Sequence, residues 1–323
     1  MRGNVVLIAL FAALCGCGGG GGGTAGSVPA TTGAAPMGPV TAGATSSPDD
    51  PIDATAAAAA PLVALAAASA AVSAPKDFFI RRAVARGSNT EGIVTSVLSH
   101  QDAGVTSSDT SGSPVTGVRA FHAVYDPTTI DLQPSGGLVQ YLYAPTTKGP
   151  NGDCLEFGTA YTDSGSGTSA DFYVFDFCAG GFTLSVPIDA TFMSTYTRAR
   201  NGFTVYNAET IQAGSAWYAL LYNYARRRWE RVYATTGTAG SNAWSLFEFY
   251  FNPGPCPQLP TFVAENIRFF NPTQDTWNRA MPDDGVGLSQ VLGPPGSCFT
   301  APATYRITFP HPDYDWHVIS SKR

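Results

Sequence analysis

Short segments rich in aromatic and β-branched residues recur along the chain after residue 117, and each is bounded by Gly, Pro, Asn or Asp. Such segments are typical of β-strands, and the turn residues between them separate one strand from the next. The predicted strands span residues 118–125, 138–143, 155–161, 172–178, 182–186, 203–207, 217–224, 229–234, 246–251, 262–270 and 305–309. We therefore predict an all-β domain built as an antiparallel β-sandwich.

The N-terminal part of the chain has a different composition. Residues 24–74 are rich in Ala, Gly, Ser, Thr and Pro and contain no aromatic residue, and residues 18–23 are a run of glycine. A segment with so little apolar mass cannot offset the entropy lost on ordering. We predict a flexible stalk over residues 17–75 and a single β-sandwich domain over residues 76–323.

Three further segments are interpreted by composition. The Ala-rich residues 54–74, interrupted by Pro61, are predicted to form a frayed helix in the stalk, with a membrane-embedded segment as the alternative. The pattern of apolar residues at 77–84 is compatible with a short helix. Residues 88–114 are polar and rich in Gly, Ser and Asp, which predicts a loop.

A basic residue, an apolar stretch and a cysteine follow one another at the N-terminus. Arg2 precedes the apolar residues 5–14, and residues 14–17 read Leu-Cys-Gly-Cys. This arrangement resembles the lipobox of bacterial lipoproteins, in which Leu stands three places and a small residue one place before the lipidated cysteine. The resemblance implies that residues 1–16 are a signal peptide and that Cys17 carries the lipid.

The alternative cysteine, Cys15, does not fit this pattern because Leu14 would occupy the position of the small residue. Gly18, where Asp would signal retention, resembles the pattern of lipoproteins that travel to an outer membrane. We therefore expect a protein of the bacterial cell envelope, held through its N-terminal lipid at the outer membrane.

Charge and cysteine content limit the partners and the compartment. Charged residues are 13% of the chain and the net charge is −6, which disfavours a nucleic acid partner. Besides Cys17, an exported chain would retain Cys154, Cys178, Cys256 and Cys298, and four cysteines allow three pairings. We predict Cys154 with Cys178 and Cys256 with Cys298, because each pair brackets one continuous β-region, and free buried thiols are the alternative.

Aromatic rings and polar side chains alternate along several predicted strands. Rings offer flat apolar platforms to sugar rings, while carboxylates and amides bind sugar hydroxyls, so we predict a glycan surface. The alternative is that the rings are packing residues with satisfied polar tips. The candidate ligand-binding residues are Tyr218, Tyr222, Tyr224, Trp244 and Tyr250, with Gln140 and Glu248 as the polar groups.

The order of strands also carries a resemblance. Residues 203–207, the strands at Trp217 and Trp229, and residues 244–248 and 257–270 follow one another in a pattern that resembles the second half of fungal-type glutamic peptidases. That resemblance implies a concanavalin-like sandwich of the jelly-roll type. It also implies a Gln and Glu catalytic pair on one sheet face, which would be Gln140 and Glu248 here.

Other groupings are interpreted as structural. Residues 226–228 are three arginines, predicted to lie in a solvated hairpin turn, with binding of an anionic ligand as the alternative. His311, Asp313, Asp315 and His317 would extend over about 20 Å of strand, too far for one ion, so we predict no metal. His122 is interpreted as a buried histidine rather than as part of a catalytic triad. With no phosphate loop and no calcium loop, we expect no cofactor.

Together these patterns predict a lipid-anchored envelope protein that displays a β-sandwich to an extracellular ligand, first of all a glycan. A glutamic-peptidase-like hydrolase is the alternative function, and a purely structural role in the envelope is the third.

Overall fold

The computed structural model confirms the all-β prediction. It describes residues 49, 52–63, 99–107, 110, 112–133, 140–163, 165–251, 256–280, 289–292, 298–299, 304–312 and 314–320, which belong to one compact unit, Ala44–Arg323. The predictions for the signal peptide, for Cys17 and for a helix at residues 77–84 lie outside the described residues.

The described elements are strands and two short α-helices. The helices are α1 (Ala54–Ala59) and α2 (Ala190–Tyr196). The strands are β1 (Ser99–Ser107), β2 (Gly117–Ala123), β3 (Gln140–Lys148), β4 (Leu155–Asp163), β5 (Thr168–Asp176), β6 (Gly181–Pro187), β7 (Thr197–Arg200), β8 (Phe203–Ala213), β9 (Ala216–Asn223), β10 (Arg228–Thr236), β11 (Ala243–Phe251), β12 (Phe262–Asn271), β13 (Thr276–Arg279), β14 (Ser289–Leu292), β15 (Tyr305–His311) and β16 (Asp315–Ser320).

The strands form two antiparallel sheets. One sheet has seven strands in the order β14-β1-β11-β3-β4-β5-β6. The other has nine, with the path β10-β9-β8-β2-β12-β16-β15 and with β13 and β7 paired to β12 and β8. Apolar side chains that alternate along strands of both sheets fill the space between them, and Phe157, Phe247, Phe262 and Trp316 are all buried in this core. This is a β-sandwich.

A chain of polar groups crosses the core from sheet to sheet. His122 on β2 contacts the Tyr206 hydroxyl at 2.9 Å and Thr147 Oγ1 at 2.8 Å, and Thr147 donates to Ser245 Oγ at 3.0 Å. At its two ends, Thr159 donates to Tyr206 and the Trp316 indole donates to Ser245. Burial lowers the pKa of His122 to about 3, so the ring is neutral. A neutral ring that donates from Nε2 and accepts at Nδ1 satisfies every link.

All the predicted strands are present, but the loop predicted at residues 88–114 is wrong over residues 99–107, which form a strand. Within it, β1 pairs with β11 along its whole length and with β14 on its other side. Its sequence, Ser-His-Gln-Asp-Ala-Gly-Val-Thr-Ser, has little strand propensity. Pairing on both sides supplies what the local sequence does not.

The predicted stalk boundary is wrong for the described residues at the N-terminus. Asp49 and residues 52–63, here called the strap, pack on the outer face of the nine-stranded sheet. The side chain of Asp53 accepts from the Ala56 amide and so caps α1, whose Ala57 is fully buried. The Trp277 indole donates to the Ile52 carbonyl at 2.8 Å. Of the frayed helix predicted over residues 54–74, the described part is a docked turn and a half of helix that ends before Pro61, and residues 64–74 lie outside the described residues.

The strap also extends the sheet edge. The Arg231 amide on β10 donates to the Pro61 carbonyl, and the Val63 amide donates to the Arg231 carbonyl, both at 3.0 Å. The Arg231 guanidinium donates to the Ala58 carbonyl at 3.0 Å. No described helix is long and apolar enough to cross a membrane.

Both predicted disulfides are confirmed. Cys154 bonds to Cys178 and Cys256 bonds to Cys298. The first links the start of β4 to the end of β5, its partner in the seven-stranded sheet. The second encloses β12 and β13 of the nine-stranded sheet and β14 of the seven-stranded sheet. This crosslink therefore constrains a segment that contributes to both sheets.

Candidate functional site

The residues predicted to form one glycan surface lie on opposite sides of the sandwich. Tyr218 and Tyr222 point outward from the nine-stranded sheet, where they pack with α1 of the strap, and Tyr224 packs beside them. Trp244 and Tyr250 point outward from the seven-stranded sheet on β11. The prediction of one continuous tyrosine platform is therefore wrong. Alternation along a strand shows which residues share a face, but not which of two sheets a strand joins.

The predicted catalytic pair is also separated. Glu248 is directly opposite Tyr143, and Phe249 is directly opposite Leu142. Leu142 and Phe249 face the core, so Gln140, two residues from Leu142, lies on the inner side of the sheet while Glu248 lies on the outer side. The Gln140 side chain donates to the Gln133 carbonyl at 3.2 Å. A Gln and Glu pair that shares one water is therefore not formed by these two residues.

Glu248 instead belongs to a group of carboxylates and tyrosines, here called the acidic face. The group lies on the outer side of β1, β11, β3, β4 and β5. Strand register places Asp102 directly opposite Glu248, and Glu156 directly opposite Lys148. Its members are Asp102, Glu156 and Glu248, the tyrosines Tyr143, Tyr173 and Tyr250, and Trp244 with Lys148.

Tyrosine hydroxyls hold two of these carboxylates. Tyr173 donates to Glu156 Oε1 at 2.5 Å, and Thr146 donates to the same oxygen. Tyr250 donates to Glu248 Oε2 at 3.3 Å. Glu156 is fully buried and Glu248 is 6% exposed, so these hydrogen bonds replace water that the carboxylates have lost.

In addition to burial, Glu156 and Glu248 each raise the pKa of both Tyr173 and Tyr250. Burial raises the pKa of Tyr173 well above its usual range, and the charges of Glu156 and Glu248 raise it further. Burial, Glu248, Tyr143 and Glu156 do the same to the pKa of Tyr250. Both phenols thus remain protonated donors over the whole physiological range. Since both glutamates act on both tyrosines, the four side chains form one electrostatic unit.

Trp244 lies at the accessible end of this face. Its ring and the ring of Phe177 are 5.6 Å apart, and the Lys148 ammonium lies 5.3 Å from the Trp244 ring centroid. Lys148 donates at 2.9 Å to the carbonyls of Gly240 and Asn242 in the loop before β11. Burial lowers the pKa of Lys148, while Asp153 and Glu156 raise it. Trp244 and Asp102 are both partly exposed, so a ligand can reach a ring and a carboxylate on adjacent strands.

Sequence reasoning missed most of the acidic face. Glu156 lies in a correctly predicted strand, and its alternation with the core residues Leu155 and Phe157 was a usable signal. Asp102 could not be placed because its segment was predicted as loop. Thr146 and Lys148 lie in the part of β3 beyond the predicted strand 138–143, past a bulge between Tyr143 and Thr146 that keeps both on the outer side.

The arginine turn is more than a solvated loop. Arg226 and Arg228 contact Glu230 Oε1 at 3.1 and 3.2 Å, and Glu230 is fully buried. Burial alone would raise the pKa of Glu230, but hydrogen bonds from Asn223, Tyr196 and the two arginines lower it overall. The turn therefore provides counter-charge to a buried carboxylate, and only Arg227 of the three has no part in it among the described contacts.

The histidines of the C-terminal hairpin have separate partners. His311 lies 3.9 Å from Asp315, and His317 lies 3.5 Å from Glu265, while Asp313 is outside the described residues. Within the described part of the chain, no three His, Cys, Asp or Glu residues are grouped to hold a metal ion.

Comparisons with known proteins add little to this geometry. No family model and no curated protein matches the chain. Among solved structures, the enzymatically active domain of bacteriophage CBA120 tailspike protein 2 is 9% identical, with a TM-score of 0.25, over 58% of this chain and 30% of that one. The full-length tailspike protein 2 from Escherichia coli O157:H7 bacteriophage CAB120 is 11% identical, with a TM-score of 0.22, over 55% and 27%. The chain spans less than a third of either tailspike, and scores this low carry neither fold nor activity across.

Proposed function

We propose that the protein is a lipid-anchored envelope protein whose acidic face binds a glycan. One observation carries the proposal. Trp244 on β11 and Asp102 on β1 are both partly exposed on adjacent strands, next to the buried Glu248 and Tyr250. The four residue steps along the strand between Trp244 and the level of Asp102 extend about 13 Å, which matches a short run of sugar rings rather than a single small molecule. A ring for stacking and carboxylates for hydroxyls are the groups that sugars require.

The test is titration of the full chain with a panel of neutral oligosaccharides. For a glycan that binds, Trp244→Ala should weaken binding about tenfold, because stacking contributes on the order of 1 kcal/mol or more. Asp102→Asn, at the partly exposed carboxylate, should weaken it comparably. Tyr218→Ala is the matched control, since this partly exposed ring lies on the opposite sheet and should leave binding unchanged. Equal losses in Trp244→Ala and Tyr218→Ala would count against a site on the acidic face.

A second function is favoured by the position of Asp102 opposite Glu248. Residues directly opposite on antiparallel strands have Cβ atoms about 4.5–5.5 Å apart. Carboxyl groups on such neighbouring side chains can reach the separation of roughly 5–9.5 Å at which two carboxyls hydrolyse a glycosidic bond, one as proton donor and the other as base or nucleophile. On this hypothesis the full chain releases reducing ends from a polysaccharide at acid pH, and Glu248→Gln or Asp102→Asn abolishes release with folding intact. Binding without any release would leave the protein a binder.

The anchor has its own test, because Cys17 lies outside the described residues. Cys17→Ala should move the protein from the detergent phase to the aqueous phase, whereas Cys15→Ala should leave it in detergent. Unchanged partitioning of Cys17→Ala would rule out the anchor.

A further inference from the structure

Three arginines lie side by side across the outer face of the nine-stranded sheet. Arg119 on β2 is directly opposite Arg268 on β12, and Arg268 is directly opposite Arg279 on β13. Like charges directly opposite one another destabilise a sheet. Such a row therefore requires negative charge close by.

The sheet itself supplies little of that charge. Glu209 on β8 continues the row, directly opposite Arg119. Burial raises the pKa of Glu209 well above its usual range, although Arg119 lowers it, so burial disfavours the charged form of this carboxyl. Glu265 is engaged by Asn201 at 2.9 Å and by Arg200 and His317 at 3.5 Å.

Two more arginines are held next to the row. Arg198 and Arg200 on β7 stack on Phe121, with guanidinium carbons 5.1 and 4.2 Å from the ring centroid. Arg119 and Arg279 stack in the same manner on Trp277 and Tyr314. Stacking fixes each guanidinium before any ligand arrives, which lowers the entropy lost on binding.

The strap places one carboxylate over this cluster. Arg198 reaches both carboxylate oxygens of Asp49 at 3.3 Å, Arg200 reaches one at 3.5 Å, and Arg119 donates to the Asp49 carbonyl at 3.1 Å. The side chain of Asp49 is still 53% exposed. The pKa of Arg268 is lowered by burial and by Arg279 and Arg200, while Asp49 opposes this, so positive charge still dominates at Arg268.

We infer that Arg198, Arg200, Arg268 and Arg279 form a binding site for an acidic glycan, whose carboxylate or sulfate groups take the place of Asp49. Guanidinium groups can pair with such oxyanions through two parallel hydrogen bonds. In the contact with Asp49, Arg198 uses only Nη2, which reaches both carboxylate oxygens. Strands are about 4.8 Å apart, so Arg268 and Arg279 lie roughly one strand spacing from each other, and with Arg198 and Arg200 they suit a ligand with several anionic groups. The site is separate from the acidic face and does not depend on the function proposed there.

The test uses calorimetric titration of the full chain with hexagalacturonate, with maltohexaose as the uncharged hexasaccharide and sodium sulfate as the free oxyanion. Asp49→Asn should bind hexagalacturonate at least about threefold more tightly, because the internal competitor loses its charge. Arg279→Gln, at an exposed side chain, should weaken binding about tenfold, and raising NaCl from about 50 to 500 mM should weaken it further. Arg306→Gln, which removes an exposed arginine on β15, is the matched control and should change affinity less than about twofold.

Several outcomes would overturn the inference. The proposed site would be ruled out if neither the natural chain nor Asp49→Asn bound hexagalacturonate. Equal losses of affinity in Arg279→Gln and Arg306→Gln would show that hexagalacturonate is held only by nonspecific electrostatic attraction. Binding of maltohexaose as tight as that of hexagalacturonate would show that charge plays no part in recognition. Sulfate that binds as tightly as hexagalacturonate would assign the site to a free ion. Thermal unfolding of each variant checks that it folds, and Trp244→Ala should bind hexagalacturonate like the natural chain.

Discussion

The two outer faces of the sandwich use the same residue types for different purposes. On the nine-stranded sheet, Tyr222 is buried with Trp229 and Ile211 beneath Ala57 of the strap, and it takes part in an apolar cluster. On the seven-stranded sheet, Tyr173 is equally buried, but its hydroxyl donates to a carboxylate. Whether a tyrosine at an outward strand position binds a ligand or packs inside the protein therefore depends on which segment, if any, lies over it. The cover here is a segment that composition had assigned to a flexible stalk.

The largest effect is expected from a substitution that disrupts the packing of the strap on the nine-stranded sheet. Ala57→Glu should destabilise the domain by about 3 kcal/mol or more, because a carboxylate would be buried against Tyr222 and Trp229 without a partner. Ala56→Glu, one residue earlier on the exposed side of α1, should change stability by less than about 0.5 kcal/mol. Urea unfolding of both variants measures the difference. If the two variants unfold alike, the strap does not contribute to stability and the domain begins after it, as its composition predicts.

An intermediate effect separates the two classes of tyrosine. Tyr173→Phe should cost about 1–3 kcal/mol, because Glu156 would lose a buried donor. Tyr218→Phe should cost less than about 0.5 kcal/mol, since Tyr218 is partly exposed and its ring contact with Arg231 remains. Chemical denaturation at neutral pH provides both values. A costly Tyr218→Phe together with a neutral Tyr173→Phe would reverse the assignment of the two faces.

The smallest effect is a change in pH dependence at Glu209. Its folded-state pKa lies above the unfolded value of 4.5, so the unfolded chain releases its proton first as pH rises. Stability from this group is fully present below pH 4.5 and is lost as pH rises toward the folded pKa, by at most about 1.4 kcal/mol per pH unit. Glu209→Gln should remove that loss.

Glu265 provides the contrast on the same face. Burial raises its pKa, but His317, Asn201 and Arg200 lower it overall, so its contribution is present above pH 4.5 and is lost on acidification. Thermal unfolding from pH 4 to 8 should therefore show opposite changes of slope in Glu209→Gln and Glu265→Gln. Parallel changes would contradict the assigned directions.

The fold was more predictable than the candidate site. Alternation, aromatic content and turn residues located eleven strands, but not β16, although its Trp316 and Val318 are buried in the core. The spacing of Cys154, Cys178, Cys256 and Cys298 gave the correct bonds. These signals are local, and the sandwich follows from burying one face of each strand. The strand β1 failed because its stability comes from β11 and β14 rather than from its own residues.

The site depends on which strands become neighbours, and no local pattern encodes that. Glu248 was among the candidate residues, but its neighbours Asp102, Glu156 and Tyr173 lie on β1, β4 and β5, far from it in sequence. The bulge between Tyr143 and Thr146 also changes the side of every later residue on β3. Composition gave the wrong prediction for the strap because alanine has little apolar surface. An alanine contributes to stability only where it is fully buried against its neighbours, as Ala57 is.

The hydrogen-bonded chain through His122 gives the sandwich a mechanical property. Three of its links join one sheet to the other: Thr159 to Tyr206, His122 to Thr147, and Trp316 to Ser245. Sliding one sheet past the other would break these together and leave buried groups unsatisfied. A purely apolar interface would resist such sliding only weakly, because the hydrophobic effect is not directional. Force applied between the N-terminal strap on one face and a ligand on the other should therefore meet a stiff body that yields by peeling strands from its edges, not by shear between its layers.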